Sequence, residues 1–307
     1  MDSGNIGFVL LCAAFVFVMT PGLAMFYGGL VRKKNVVNTM MTSIFIIGVG
    51  IVMWVLFGYS LSFAPSGNAF IGDFRWLGLE GVSLTEGYTD DASIPNMVFS
   101  AFQMMFAVIT PALITGAVAG RMKFKSIFVF TIFWSLIVYY PLAHMVWGQG
   151  GLLGADGIGA LDFAGGDVVH ISSGVSALVL CILLGKRHDY EHSIYRIHNI
   201  PTVVLGASLL MFGWFGFNAG SALAADGLAA HAFMTTGVSA AAAMLSWMLC
   251  DVIKNKKPTL IGASTGMVAG LVGITAGCDT VSPLGAAIMG LIFGIVMVLA
   301  IEFIDKK

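Results

Sequence analysis

Nine apolar segments, each long enough to cross a membrane as a helix, constrain this sequence more than any other feature. A hydrocarbon core about 30 Å thick needs about 20 apolar residues of helix. Segments that meet this requirement cover residues 7–30, 38–63, 96–119, 124–146, 167–185, 199–219, 229–250, 259–277 and 283–303. A helix can cross lipid because its backbone hydrogen bonds are all internal. The sequence therefore predicts an all-α polytopic membrane helix bundle, with residues 1–307 as one transmembrane domain.

The composition agrees with a membrane protein and excludes other classes. Only 10% of the residues are charged, against about 25% in soluble domains. The net charge of −1 gives no basis for binding nucleic acid. The four cysteines are far apart and form no CxxC pair, so neither a disulfide framework nor a zinc site is indicated.

The basic residues predict the orientation of the spans. Of the 15 Lys and Arg residues, 14 follow odd-numbered spans and therefore lie on the same side of the membrane. Only Arg75 lies on the opposite side. The 14 residues are Arg32, Lys33, Lys34, Arg121, Lys123, Lys125, Lys186, Arg187, Arg196, Lys254, Lys256, Lys257, Lys306 and Lys307. The positive-inside rule makes their side cytoplasmic. We therefore expect a multi-pass protein of the inner (plasma) membrane, with its N-terminus outside and its C-terminus in the cytoplasm.

A weak internal repeat is visible between the first and sixth spans. Both contain aromatic residues beside glycines, AMFYGGL (24–30) and GWFGFNAGS (213–221), and the two spans run in opposite directions. An odd number of spans per unit is what an inverted repeat requires. The nine spans are therefore interpreted as five plus four of an inverted repeat.

The polar residues inside the spans limit the possible chemistry. No Lys or Arg lies within a span, which excludes a Schiff-base lysine, and the acids are limited to Asp167 and Glu302 near span ends. No HExxH or paired-Cys motif indicates a metalloenzyme, so we expect no cofactor and no enzymatic activity. His170 lies in an apolar run, where an ionisable side chain suggests a functional site. The alternative is a histidine that only packs against its neighbours.

Aromatic and small polar residues near the outer helix ends suit a small cation that loses its proton. An aromatic face attracts a desolvated cation by about 2 kcal/mol or more, and a hydroxyl or amide oxygen can accept its hydrogen bonds. Burial favours the uncharged form of a cationic acid. For any single Trp, membership of the interfacial aromatic belt is the more common explanation.

Four long motifs carry a resemblance to a known family. They are PGLAMFYGGLVRKKN (21–35), AHMVWGQGG (143–151), LDFAGGDVVHISSG (161–174) and GWFGFNAGSA (213–222). In order and content they resemble the ammonium transporter (Amt/Mep/Rh) family, and its bacterial members most closely. The resemblance covers essentially the whole chain.

The resemblance implies a substrate, a set of site residues and partners. It implies ammonium recruited outside and ammonia passed through a hydrophobic pore, in a homotrimer whose cytoplasmic mouth a P-II-type signal protein can plug. Trp147, Phe106 and Ser221 match the recruitment site, with Phe102 and Gln103 nearby. Phe106 and Phe217 match the stacked gate, and His170 matches the first of two pore histidines. Asp162 matches the acid that holds the outer vestibule together and aids deprotonation, and Phe26 and Thr275 match further pore or vestibule positions.

The chain departs from the family pattern in two respects. Family members have eleven spans with the second pore histidine on the tenth, so the sequence is interpreted as a fragment that lacks the last two spans. Asp167 stands where many relatives have a neutral residue; three positions before His170, it shares nearly the same helix face and could alter the histidine's proton affinity. An ammonium sensor without flux and a neutral-gas channel of the Rh kind stay open as alternatives, although the presence of Trp147 argues against the second.

Overall fold

The computed structural model describes residues 1–65, 67–155, 157–187 and 196–305. Within these ranges nine helices are long and apolar enough to cross a membrane. They are α1 Ser3–Leu30, α2 Lys33–Phe63, α3 Asn96–Val118, α4 Phe124–Trp147, α5 Gly166–Leu184, α6 Ile200–Gly220, α7 Gly227–Asn255, α8 Leu260–Gly277 and α9 Pro283–Ile304. Lys306 and Lys307, which the sequence placed on the cytoplasmic side, lie outside the described residues.

The helices confirm the predicted all-α bundle, and most of their ends lie within a few residues of the predicted ones. Local capping explains several starts. The side chain of Asp2 accepts the amide of Asn5 at the start of α1, and Asp226 accepts two amides at the start of α7. Such caps satisfy amides that have no partner in the first turn. The largest differences are of five residues: α2 begins at Lys33 and α7 continues to Asn255.

Three spans contain a π-helical turn that the sequence did not predict. These turns cover Trp54–Gly58 in α2, Ser135–Tyr139 in α4 and Gly166–Ile171 at the start of α5. A π-turn inserts an extra residue into the helix and is frequent at functional sites. The third turn carries His170, so it sets the direction in which the imidazole projects.

The bundle is organised around α1 and α6, which form its most extensive helix–helix contact. Glycines make this close approach possible. A Cβ atom added at Gly216 of α6 would lie 2.7 Å from Phe15 Cβ and 2.9 Å from the carbonyl oxygen of Cys12. Small residues at such contacts let helix backbones approach closely in lipid. Beside this pair, α7 packs against α8 and α9, and α3 packs against α1, α2 and α5.

Candidate functional site

A cavity of about 250 Å³ opens among the ends of α3, α4 and α6 and the long loop between α2 and α3. It is lined by Tyr88, Thr89, Ala92, Ile94, Phe99, Phe102, Gln103, Phe106, Trp147, Phe163, Ser221 and Leu223. We call it the outer cavity. It brings together five of the residues that the sequence proposed for substrate binding: Phe102, Gln103, Phe106, Trp147 and Ser221.

Hydrogen bonds hold Trp147 and leave Ser221 able to accept. The indole Nε1 of Trp147 donates to the carbonyl oxygen of Asp162 at 2.8 Å, which fixes the indole at the cavity wall. Ser221 donates its hydroxyl proton to the carbonyl oxygen of Phe217 at 2.9 Å. Because that proton is engaged, the hydroxyl oxygen presents lone pairs to the cavity. Gln103 is buried, and its Oε1 has no hydrogen-bond partner among the described residues.

Asp162 lies behind the outer cavity and does not line it. Its two carboxylate oxygens accept four backbone N–H groups at 2.6 to 3.1 Å, those of Gly165, Gly166, Asp167 and Val168. Burial raises the pKa of the Asp162 carboxyl, and the four donors oppose that rise because they favour the charged form. The carboxylate therefore anchors the loop to the first turn of α5. Gly165 makes this possible with φ of 113°, a backbone conformation that favours glycine.

Two phenylalanine rings separate the outer cavity from a second one. The ring centroids of Phe106 and Phe217 lie 4.3 Å apart with their planes at 37°. Phe106 lines the outer cavity, whereas Phe217 lines the second, which we call the inner cavity. Both rings are almost completely buried. The sequence proposed this pair as a gate, and the structure places it between the two cavities.

The inner cavity has a volume of about 140 Å³ and an apolar lining. It is lined by Met19, Leu23, Phe26, Tyr27, Ile109, Leu113, Val169, His170, Leu210, Trp214, Phe217, Val268 and Val272. The His170 ring is nearly parallel to those of Trp214 and Phe217, with centroids 5.2 and 5.8 Å away. His170 is partly exposed as a residue, but its Nε2 is buried and has no hydrogen-bond partner among the described residues. An imidazole nitrogen in this position can meet a small polar molecule that enters the cavity.

The remaining proposed residues take different positions. Phe26 lines the inner cavity, but Thr275 does not. The buried Thr275 hydroxyl accepts from Trp214 Nε1 at 2.9 Å, so it holds the indole that stacks on His170. Asp167 is partly buried and donates its backbone N–H to the Asp162 carboxylate.

The sequence did not identify the loop residues of the outer cavity or the role of Trp214. Tyr88 stacks on Phe99, with centroids 4.7 Å apart and planes at 6°. Burial raises the pKa of Tyr88 to about 12, so its hydroxyl is neutral near physiological pH. Tyr88 lies in a loop without hydrophobic periodicity, and no sequence signal connects it to the cavity. Among the described residues, no group of three or more His, Cys, Asp or Glu side chains could hold a metal ion.

Comparisons with known proteins show which family the chain belongs to. The model of the Ammonium Transporter Family matches residues 7–307. The chain is 50% identical to an ammonium transporter of Bacillus subtilis over 307 residues, which is 100% of this chain and 74% of that protein.

Two solved structures share the fold. Mep2 of Saccharomyces cerevisiae superposes with a TM-score of 0.87 at 37% identity, over 96% of this chain and 68% of that one. A protein described as a sensor Amt protein gives a TM-score of 0.88 at 30% identity, over 99% of this chain and 75% of that one. With nine apolar helices in the described ranges, the chain is a multi-pass membrane protein, and it belongs to the ammonium transporter family.

Proposed function

We propose that this protein recruits ammonium in the outer cavity, removes its proton there and passes ammonia through the Phe106–Phe217 gate to His170. The observation that carries the proposal is the sequence of compartments along one path. An outer cavity with aromatic faces and oxygen acceptors is followed by two phenylalanine rings in close contact and then by an apolar cavity with one imidazole.

The outer cavity supports recruitment of a small cation. The Trp147 and Phe106 rings both line the outer cavity, with centroids 6.1 Å apart and planes at 88°, so a cation in the cavity can lie against an aromatic face. Cation–π attraction reaches about 2 kcal/mol or more where the cation is desolvated. The lone pairs of Ser221 and the Oε1 of Gln103 add acceptors for its N–H groups. A cation of four donors and no acceptor suits such a site.

The gate supports passage of the neutral molecule. A charged group near the bilayer centre costs at least about 2.5 kcal/mol on the mildest scales. The buried faces of Phe106 and Phe217 offer neither an acceptor nor space for a hydration shell. Burial shifts a cationic acid toward its uncharged form. Ammonium therefore gives its proton to water on the outer side, and ammonia moves on.

The inner cavity supports a role for His170 after the gate. A neutral imidazole carries both a donor and an acceptor. Ammonia can both donate and accept hydrogen bonds, whereas most of the cavity lining offers neither a donor nor an acceptor. Nε2 of His170 has no hydrogen-bond partner among the described residues. Thr275 contributes indirectly because it fixes Trp214, and Trp214 stacks on the imidazole.

Assembly and orientation belong to the same proposal. Membership of the family supports a homotrimer in the inner membrane, with the N-terminus outside and the basic loops in the cytoplasm. A P-II-type signal protein would bind at that cytoplasmic face. The ammonium transporters among the relatives support ammonium as the substrate.

Uptake of methylammonium into proteoliposomes that contain the full chain tests the proposal. We expect Trp147→Leu to raise the half-saturation concentration about thirtyfold, as loss of about 2 kcal/mol of cation binding requires. We expect His170→Asp, which places a charge in the inner cavity, to reduce the maximal rate. Equal uptake by the wild type and by both variants would refute the proposed path.

A second function, ammonium sensing without flux, is favoured by the structural similarity to the sensor Amt protein. The same preparation separates the two. A sensor would bind methylammonium with the affinity that Trp147 sets and would show no saturable uptake. A transporter shows both.

A further inference from the structure

We infer that Tyr88 and Gln149 are positioning residues for the recruitment site: together they hold the outer loop against the segment that carries Trp147. This inference rests on the proposed function of the outer cavity. Neither residue came from the sequence motifs as a site residue. Tyr88 lies in the loop between α2 and α3, and Gln149 is two residues beyond Trp147.

Two hydrogen bonds join these residues, and Gln149 is the donor in both. The backbone N–H of Gln149 donates to the Tyr88 hydroxyl at 3.1 Å, and Gln149 Nε2 donates to the Tyr88 carbonyl oxygen at 3.0 Å. We call this the Tyr88–Gln149 pair. It therefore fixes both the side chain and the backbone of Tyr88 to one residue of the neighbouring loop.

The ring of Tyr88 is anchored independently of its hydroxyl. It stacks on Phe99 of α3 and meets Phe63 of α2 edge-on, with centroids 5.6 Å apart at 85°. The loop is thus attached to the bundle through the ring. The hydroxyl extends this attachment to the segment after Trp147. Removing the hydroxyl alone should leave the ring, and with it the fold, in place.

The geometry of the outer cavity gives the pair its function. A space of about 250 Å³ far exceeds the size of ammonium, so the distance between opposite walls decides how closely the cation is held. Tyr88, Thr89 and Ala92 of the loop line this cavity together with Trp147 at the end of α4. The Trp147 indole is held by the Asp162 carbonyl oxygen. The pair supplies the second restraint, on the backbone that follows Trp147.

The pair should act on substrate binding and on selectivity. A site that loses its second restraint presents the Trp147 ring in several positions, so recruitment weakens. The passage beyond the gate is unchanged, so the maximal rate should be preserved. A wider cavity also excludes bulky cations less effectively. Replacing a residue that served only folding would lower the amount of active protein and would change neither substrate binding nor selectivity.

The test measures methylammonium uptake by the full chain with Tyr88→Phe, Gln149→Ala and the double variant. Loss of one hydrogen bond should raise the half-saturation concentration about three- to tenfold, with the maximal rate per molecule unchanged. The double variant should exceed the larger single effect only slightly, because the two bonds act as one unit. Uptake of dimethylammonium relative to methylammonium should rise in all three.

Thr85→Ala is the matched control. Thr85 is exposed in the same loop and does not line the outer cavity. Its replacement should therefore change neither the half-saturation concentration nor the relative uptake of dimethylammonium. Trp147→Leu, measured in parallel, separates two failures. If it leaves the half-saturation concentration unchanged, the proposed recruitment site fails and the inference fails with it. If it raises that concentration while Tyr88→Phe and Gln149→Ala do not, the inference alone is wrong.

Discussion

Asp162 shows how a residue outside the outer cavity determines its shape. Its carboxylate accepts four consecutive backbone amides, and its own carbonyl oxygen accepts the Trp147 indole. One residue therefore joins the start of α5 to the side chain proposed for cation binding. These contacts are the ones that the proposed role in holding the vestibule together requires. The expected help with deprotonation stays a proposal, because the carboxylate oxygens already carry four donors.

Asp162→Asn should destabilise the protein and impair recruitment together. The amide retains one acceptor oxygen and turns its NH₂ group toward two backbone N–H donors, which then lose their partner. Leaving buried donors unsatisfied costs about 1–3 kcal/mol each. We expect a lower melting temperature in detergent and a higher half-saturation concentration for methylammonium. Asp167→Asn is the control, because Asp167 uses its backbone N–H here. An unchanged melting temperature for Asp162→Asn would contradict this account.

The motifs identified most of the site residues, but their contacts could not be predicted. Trp147, Phe217 and His170 stand in the long motifs, and Phe106 stands in the third apolar segment, so their types and positions were informative. The cradle around Asp162 depends on the positive φ of Gly165 and on four backbone amides, which no side-chain pattern specifies. Thr275 lay in an ordinary small-residue helix, and only its bond to Trp214 gives it a role.

At the scale of the helices, small residues most directly determine the close approach of α1 and α6. The predicted repeat joined these two helices by similar motifs, and in the structure they form the most extensive contact. The sequence did not predict the π-turns of α2, α4 and α5 because one inserted residue barely changes the hydrophobicity or the length of a span. The presence of each helix could therefore be predicted from the apolar segments, whereas the π-turns within the helices could not.

Gly216→Ala should weaken the α1–α6 contact. The added Cβ would lie 2.7 Å from Phe15 Cβ and 2.9 Å from the Cys12 carbonyl oxygen, so the helices must separate or strain. Overpacking of this kind costs about 1–3 kcal/mol, which we expect as a lower melting temperature in detergent. Gly48→Ala is the control, because no atom lies within 4 Å of a Cβ added there. Equal melting temperatures for the two variants would show that the contact tolerates the added methyl group.

The bundle carries many large apolar side chains on its surface as well as in its core, which is the arrangement expected of a protein surrounded by lipid. Val37 is 81% exposed, and Leu183 is 76% exposed. A soluble protein rarely exposes large contiguous apolar patches. Most of the large exposed apolar side chains of this protein belong to the nine apolar segments. Its location in lipid was therefore predictable from composition. The orientation was predicted from charge alone and is a separate hypothesis.

Cysteine labelling tests that orientation. The positive-inside rule places Lys33 in the cytoplasm, and the alternation of spans then places Thr85 outside. In a chain with Cys12, Cys181, Cys250 and Cys278 replaced by Ala, a membrane-impermeant maleimide should label Thr85→Cys in intact cells. It should label Lys33→Cys only after permeabilisation. Both positions are exposed in the structure, so access across the membrane alone decides the result. The opposite pattern would invert the proposed path, because the outer cavity would then face the cytoplasm.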